Sequence, residues 1–251
     1  MRTVLRVLAA AVAMVSVTAG AASATAGAAR TWSTPIGVLA SSNTGSGHYC
    51  SASVVDSPHH DVVLTAAHCV WNTDPTKTAV WFLPNFHNGS ADDTYGRWRA
   101  VKIIVPPKYL QWRNSHPAPP GQDRTNPYDF AFLVVSGDVQ GRTGALTPLT
   151  QVDAHSTPTT VAGYNHTSGN LSHCASTADG WKYEGNWYLK VNCPSVSLSG
   201  GTSGGPFIET NTNRVIGVMG GYQEGGPTPY TDYSSWFQGD FTAAYAAAER
   251  G

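Results

Sequence analysis

The sequence predicts an all-β fold, and three observations lead to it. Short apolar runs of strand length recur along the chain, each bounded by Gly, Pro, Asn or Asp. Charged residues make up only 12 % and glycine numbers 26, the profile of a turn-rich β protein rather than of a helical bundle or a disordered tail. Only the C-terminal segment reads as a helix. Many short strands at roughly regular spacing suit barrels or a sandwich, and 251 residues suit one large all-β domain or two small ones.

The chain opens with an export signal. Arg2 and Arg6 form a basic start, Val7 to Val17 an apolar run, and Ala22-Ser23-Ala24 and Ala24-Thr25-Ala26 both fit an A-x-A cleavage site. The run is too short and too rich in Ala to prefer spanning a bilayer. Residues 1–26 are therefore assigned to the signal and 27–35 to a short N-terminal or pro-segment. Strands are expected at Val62–Thr65, Ala79–Leu83, Val101–Val105, Phe130–Val135, Trp187–Val191 and Val215–Met219. Between two of the apolar runs, Glu209–Arg214 reads as a hairpin turn. The Pro- and Gly-rich stretch 115–127 reads as a surface loop, and a composition shift at 137–148 marks a crossing between halves at 36–140 and 141–251. Asp240 is the expected N-cap of the helix Phe241–Arg250.

The net charge of −1 gives no field directed at nucleic acid or anionic lipid. Four cysteines, Cys50, Cys69, Cys174 and Cys193, fall two in each half. Three pairings are possible, of which the sequential one closes two local loops of similar length; a single four-Cys zinc site lacks any C-x-x-C knuckle.

Three segments carry chemistry. In Ser199-Gly200-Gly201-Thr202-Ser203-Gly204-Gly205-Pro206, glycines let the backbone turn tightly around an exposed hydroxyl and allow successive N–H groups to converge as an anion-binding nest. A plain Gly/Ser loop has the same composition. In Leu64-Thr65-Ala66-Ala67-His68-Cys69, a strand ends in small residues and one His stands beside a Cys. In Tyr128-Asp129-Phe130, a lone Asp precedes an apolar strand, where its carboxylate can accept from an imidazole N–H. Each has an ordinary structural explanation alone, and the joint occurrence is what points to nucleophilic catalysis.

Together the motifs T-A-A-H-C, D-F-A-F-L and G-T-S-G-G-P, in the order His, Asp, Ser, resemble the trypsin/chymotrypsin-like serine peptidases from about Ile36 to the C-terminal helix. The stretch Phe82-Leu83-Pro84 to Val105-Pro106 looks like the secreted bacterial branch that includes the glutamyl endopeptidases. The resemblance implies two antiparallel six-stranded β-barrels with the active site in the cleft between them, and a secreted endopeptidase with His68, Asp129 and Ser203 as its triad. The N–H groups of Gly201 and Ser203 would form the oxyanion hole. It further implies a protein or peptide substrate, no metal or organic cofactor, neither nucleic acid nor, once the signal is removed, membrane as a partner, and a monomer. An α/β-hydrolase is excluded by order, since no His follows Ser203, and a zinc peptidase by the lack of H-E-x-x-H. The main alternative is a catalytically silent homologue that binds a partner through the same cleft.

Two departures from the family stand out. Animal trypsins carry an Asp before the nucleophile that pairs with a newly freed N-terminus; here Thr202 stands there and no I-V-G-G-type start occurs near residue 30, so the oxyanion loop is expected to be held by local hydrogen bonds. The substrate-binding residues are expected to be Ser197, Met219, Gly220 and Gly221. With Ser197 where trypsins hold an Asp, and Met219 where glutamyl enzymes place a His, the expected preference is for a medium or large apolar side chain.

Overall fold

A computed structural model describes residues 32–118, 124–153 and 155–251. The export signal and residues 27–31 of the segment after it lie outside the described residues.

The apolar runs of the first half become six strands: β1 (Ile36–Ala40), β2 (Cys50–Val54), β3 (Val62–Thr65), β4 (Trp81–Pro84), β5 (Trp98–Ile104) and β6 (Ala131–Val135). They pair antiparallel in the order β1-β2-β3-β6-β5-β4, and β4 closes the barrel on β1 through Val38↔Leu83 and its neighbours. Inward and outward side chains alternate, as closure demands. Val63 and Leu133 join Leu39, Val54 and Phe82 inside the barrel. Their neighbours Val62, Leu64 and Phe132 face outward, into a second apolar cluster with Phe207 and Ile216 of the other half. Both faces of β3 and β6 are thus covered, which is why these segments read as continuous apolar runs rather than alternating ones.

The second half forms β7 (Thr147–Pro148), β8 (Thr157–Tyr164), β9 (Leu171–Tyr183), β10 (Asn186–Asn192), β11 (Pro206–Glu209), β12 (Arg214–Val218) and β13 (Thr231–Ser235). Their order is β13-β10-β9-β8-β11-β12-β7; β7 adds in parallel to β12 and the other pairs are antiparallel. The edges β12 and β13 approach each other: Gly220 N–H donates to Tyr233 O and Val218 N–H to Ser234 Oγ, each at 2.9 Å. The fold is therefore the expected chymotrypsin-like pair of β-barrels, with β7 as an addition to the second. Thr212 N–H donates to Glu209 O (3.1 Å), tightening the turn between β11 and β12.

Helices are more numerous than expected. α1 (Pro107–Ser115) runs up to the Pro- and Gly-rich stretch, started by Pro107 at its first position and tied down by Trp112 Nε1 donating to Thr125 O (2.9 Å). α2 (Val139–Thr143) lies in the crossing, where Asp138 Oδ1 accepts from Gly141 N–H. α3 (Gly239–Ala248) starts one residue before the expected cap. Gln238 takes the cap position and Asp240 sits in the first turn, where it complements the helix dipole and pairs with Lys108 Nζ at 2.9 Å. Phe241 of α3 packs edge-on to Phe130 (5.3 Å between centroids) and stacks on Phe237 (3.6 Å).

The disulfides are sequential, Cys50–Cys69 and Cys174–Cys193, each spanning 19 residues. Loop closure of that size contributes about 3 kcal/mol per bridge.

Candidate active site

β3 ends at Thr65, and Ala67–Cys69 makes a single 3₁₀ turn. Ala66 and Ala67 are fully buried, so only small side chains fit there, and the turn presents His68 while the Cys50–Cys69 bridge ties its base to β2. Asp129 lies two residues before β6 and is 0 % exposed. Its carboxylate accepts three N–H groups: Oδ1 from the His68 backbone (2.8 Å), Oδ2 from His68 Nδ1 (2.7 Å) and from Gly221 N–H (2.8 Å). The Asp129 N–H donates to Ser235 Oγ (2.9 Å).

These contacts set the charges. Burial pushes the Asp129 carboxyl upward, but the charge of His68 and the donated hydrogen bonds outweigh it and hold the carboxyl below its usual range. Burial disfavours the His68 imidazolium, yet the charge and hydrogen bond of Asp129 more than compensate and raise its pKa above the ordinary 6.5. An ionised Asp129 makes Nδ1 the protonated nitrogen of neutral His68, which leaves Nε2 as a base.

Ser203 is half-buried in a loop whose shape depends on two glycines. Gly201 has φ +99° and Gly204 φ +79°, values that L side chains rarely adopt. A Cβ at Gly204 would stand 2.9 Å from Ala66 N, with Thr65 Oγ1 closer still, so glycine is what allows this loop to lie against the end of β3. Among the described residues neither the Gly201 nor the Ser203 N–H has a hydrogen-bond partner. The expected local bonds are present: Thr202 Oγ1 donates to Ser199 O (2.7 Å) and Thr202 N–H to the same oxygen (3.0 Å).

Ser51, in β2, was not singled out by sequence. Fully buried, it donates through N–H to Ser203 O (2.7 Å) and through Oγ to Gly201 O (2.9 Å), and accepts from Tyr164 N–H (2.7 Å). One residue of the opposite barrel thereby holds both sides of the loop, Gly201 through its hydroxyl and Ser203 through its backbone N–H. Ser51→Ala is expected to lower the Tm, because the Tyr164 N–H loses its acceptor and Gly201 O its donor, a cost of about 1–3 kcal/mol. Thermal melts check this; an unchanged Tm would mean that the hydroxyl does not hold the loop.

Beside Ser203 opens a cavity of about 380 Å³, with Ser203, Met219, Glu224 and Asp232 in its wall. Of the other three expected substrate-binding residues, Ser197 is exposed, and none lines this cavity among the described residues: Gly221 donates to Asp129, and Gly220 packs against it. His68 borders a second cavity of about 620 Å³ with Trp71, Trp112 and Arg113; Glu224 belongs to both. Asp232 was missed by sequence, and its only signal there is an acidic residue inside a strand, where Asp is disfavoured.

A family model described as a trypsin-like peptidase domain matches residues 45–218. No curated protein matches the chain. Among solved structures, the protease Anisep from Arthrobacter nicotinovorans is 24 % identical with a TM-score of 0.65, over 87 % of this chain and 96 % of that one. A thermostable serine protease from an extremophilic microorganism is also 24 % identical, with a TM-score of 0.67 over 87 % of this chain and 98 % of that one. A Glu endopeptidase is 16 % identical, with a TM-score of 0.63 over 87 % of this chain and 92 % of that one.

Proposed function

Because the chain belongs to the trypsin-like peptidase family, we propose that it is a secreted serine endopeptidase that cleaves peptide bonds with His68, Asp129 and Ser203. The observation that carries this reading is the fully buried Asp129 carboxylate bonded to His68 Nδ1, with the Ser203 loop packed against the end of the strand that precedes His68.

In this reading the Ser203 hydroxyl attacks the scissile carbonyl carbon while His68 Nε2 takes its proton. Negative charge moves onto the carbonyl oxygen, where the unpartnered N–H groups of Gly201 and Ser203 stabilise it. The C–N bond then breaks, with the His68 proton passing to the leaving amine and the acyl group left on Ser203 Oγ. A water molecule gives its proton to His68 and attacks the ester, releasing the acid and restoring Ser203. Asp129 holds the tautomer and offsets the imidazolium charge throughout. The protein acts outside the cell as a monomer, after loss of residues 1–26, and needs no cofactor for these steps.

Labelling with a fluorophosphonate tests the reading, since Ser203 Oγ must displace fluoride from phosphorus. Label is expected on Ser203, lost in Ser203→Ala and in His68→Ala. The rate is full at alkaline pH, where His68 is neutral, and falls as pH drops through the raised His68 pKa, starting above 6.5. A folded, disulfide-intact protein that takes no label would instead be a silent homologue.

A further inference from the structure

We propose that a cavity between β10, the end of β13 and the start of α3 binds the terminal ring of a neutral saccharide chain, a pyranose of the glucose type whose hydroxyls are all equatorial.

The cavity holds about 180 Å³, and among the described residues it shares no wall with the cavities at Ser203 and His68. Sites for drug-sized ligands run to about 300–1,000 Å³, so this one takes a single ring. Tyr188 of β10 pairs with Ser235 of β13, which sets Trp187 and Trp236 across from each other one step beyond. Their ring centroids are 5.8 Å apart and their planes tilted by 56°. Trp236 packs against the apolar cluster that contains Phe207 and Ile216, which fixes its ring. Trp187 belongs to neither core cluster and is 45 % exposed, so its indole contributes little to the core and offers apolar area to a ligand. Around these rings stand the side chains of Lys108, Asn186, Gln238 and Asp240. Among the described residues, the Gln238 amide and both indole N–H groups make no hydrogen bond within the chain.

Charge decides what kind of group enters. Lys108 Nζ is held by Asp240 Oδ2 at 2.9 Å, so an anion finds the one cation of the wall already engaged. A cation would meet the ammonium groups that stand over the Tyr128 and Trp187 rings, Lys108 at 5.4 Å and Lys182 at 5.6 Å. A purely apolar group would cover the indoles but strip water from the polar side chains and leave them unpaired. A pyranose with equatorial hydroxyls satisfies both sets of groups. Its axial C–H groups make flat apolar faces that stack on an indole, and its hydroxyls, ringed around the edge, both donate and accept. Asn186, Gln238 and the Asp240–Lys108 pair offer the matching acceptors and donors. Because the cavity is separate from those at Ser203 and His68, a bound saccharide tethers the protein without filling the cleft.

Titration of the intact protein with cellotetraose, followed by calorimetry and by the indole N–H resonances, tests the site. Saturable binding is expected to shift the Trp187 and Trp236 signals, assigned with Trp187→Phe and Trp236→Phe. Affinity should fall at least about ten-fold in Trp187→Ala, an exposed position where alanine leaves the core untouched. Gln238→Ala, also exposed, should weaken binding about two- to ten-fold. Ser203→Ala should bind as wild type does, and mannotetraose, whose rings carry an axial hydroxyl, several-fold more weakly. Absence of binding, binding that shifts neither indole signal, or equal affinity in Trp187→Ala overturns the proposal. So does equal affinity for mannotetraose, which would mean that no flat sugar face is stacked. Weaker binding in Ser203→Ala would place the saccharide in the cleft, and a preference for free indole over cellotetraose would make the cavity a dock for an apolar side chain; each overturns the proposal. The peptidase reading is tested separately by the fluorophosphonate label and survives any of these results.

Discussion

Ser203→Ala is expected to lower kcat roughly a million-fold while leaving the fold and peptide affinity unchanged. The loss is that large because no acyl-enzyme can form without Oγ; the remaining groups act together with it, so none of them compensates. What survives, roughly 10³–10⁴-fold over the uncatalysed reaction, comes from substrate positioning and the N–H groups of Gly201 and Ser203. Alanine at 203 removes only the hydroxyl of a half-buried residue from a loop held by Ser51 and Thr202, so the Tm should stay within a degree or two. Initial rates on a peptide substrate, with circular dichroism melts on both proteins, check the expectation. A residual kcat within a hundred-fold of wild type would mean that Ser203 is not the nucleophile.

Asp129→Asn is expected to reduce kcat by about 10⁴-fold, through the tautomer of His68 rather than through charge alone. The carboxylate serves three N–H donors with two oxygens. A carboxamide has one oxygen. If that oxygen faces the His68 backbone N–H, the amide NH₂ meets His68 Nδ1 and Gly221 N–H; Nδ1 must then accept, and the ring proton moves to Nε2, where it blocks the base. If the amide is turned the other way, its NH₂ confronts the His68 backbone N–H, leaving a buried donor unsatisfied at about 1–3 kcal/mol. Either arrangement also lowers the Tm. Steady-state kinetics give the rate, and the ring ¹⁵N resonances of His68 show which nitrogen bears the proton. A variant that keeps the proton on Nδ1 and loses less than about ten-fold in kcat would remove Asp129 from the mechanism.

Fold and site differ in how far they can be read from residues alone. β3, β6 and β12 are legible because their apolar runs are buried on both faces, with only Arg214 at the start of β12 exposed. β9 was not: its thirteen residues include Asp179, Lys182 and several Ser and Thr, with an uneven burial pattern, and it is a strand because β8 and β10 pair with it on both sides. α1 is not legible in the sequence, since only Tyr109 among its residues is buried and no apolar stripe marks it. At the site, the glycines around Ser203 and the small residues before His68 mark those two positions locally. Ser51 and Asp232 carry no such mark, as their neighbours Cys50, Ala52, Thr231 and Tyr233 are ordinary strand residues.

The sequence by itself determined the all-β class, the hairpin turn and the three motif segments, because each depends on residues next to one another: turn glycines, apolar runs and small side chains beside a Cys. Tertiary structure alone decided which β2 hydroxyl holds the Ser203 loop, that Gly221 completes the shell of Asp129, and that Glu224 and Asp232 line the cavity beside Ser203 while Ser197 does not. Those outcomes follow from hydrogen bonds and burial between elements far apart in the chain, and the energy of a buried polar group depends on the partners that the fold brings to it, not on its neighbours in sequence.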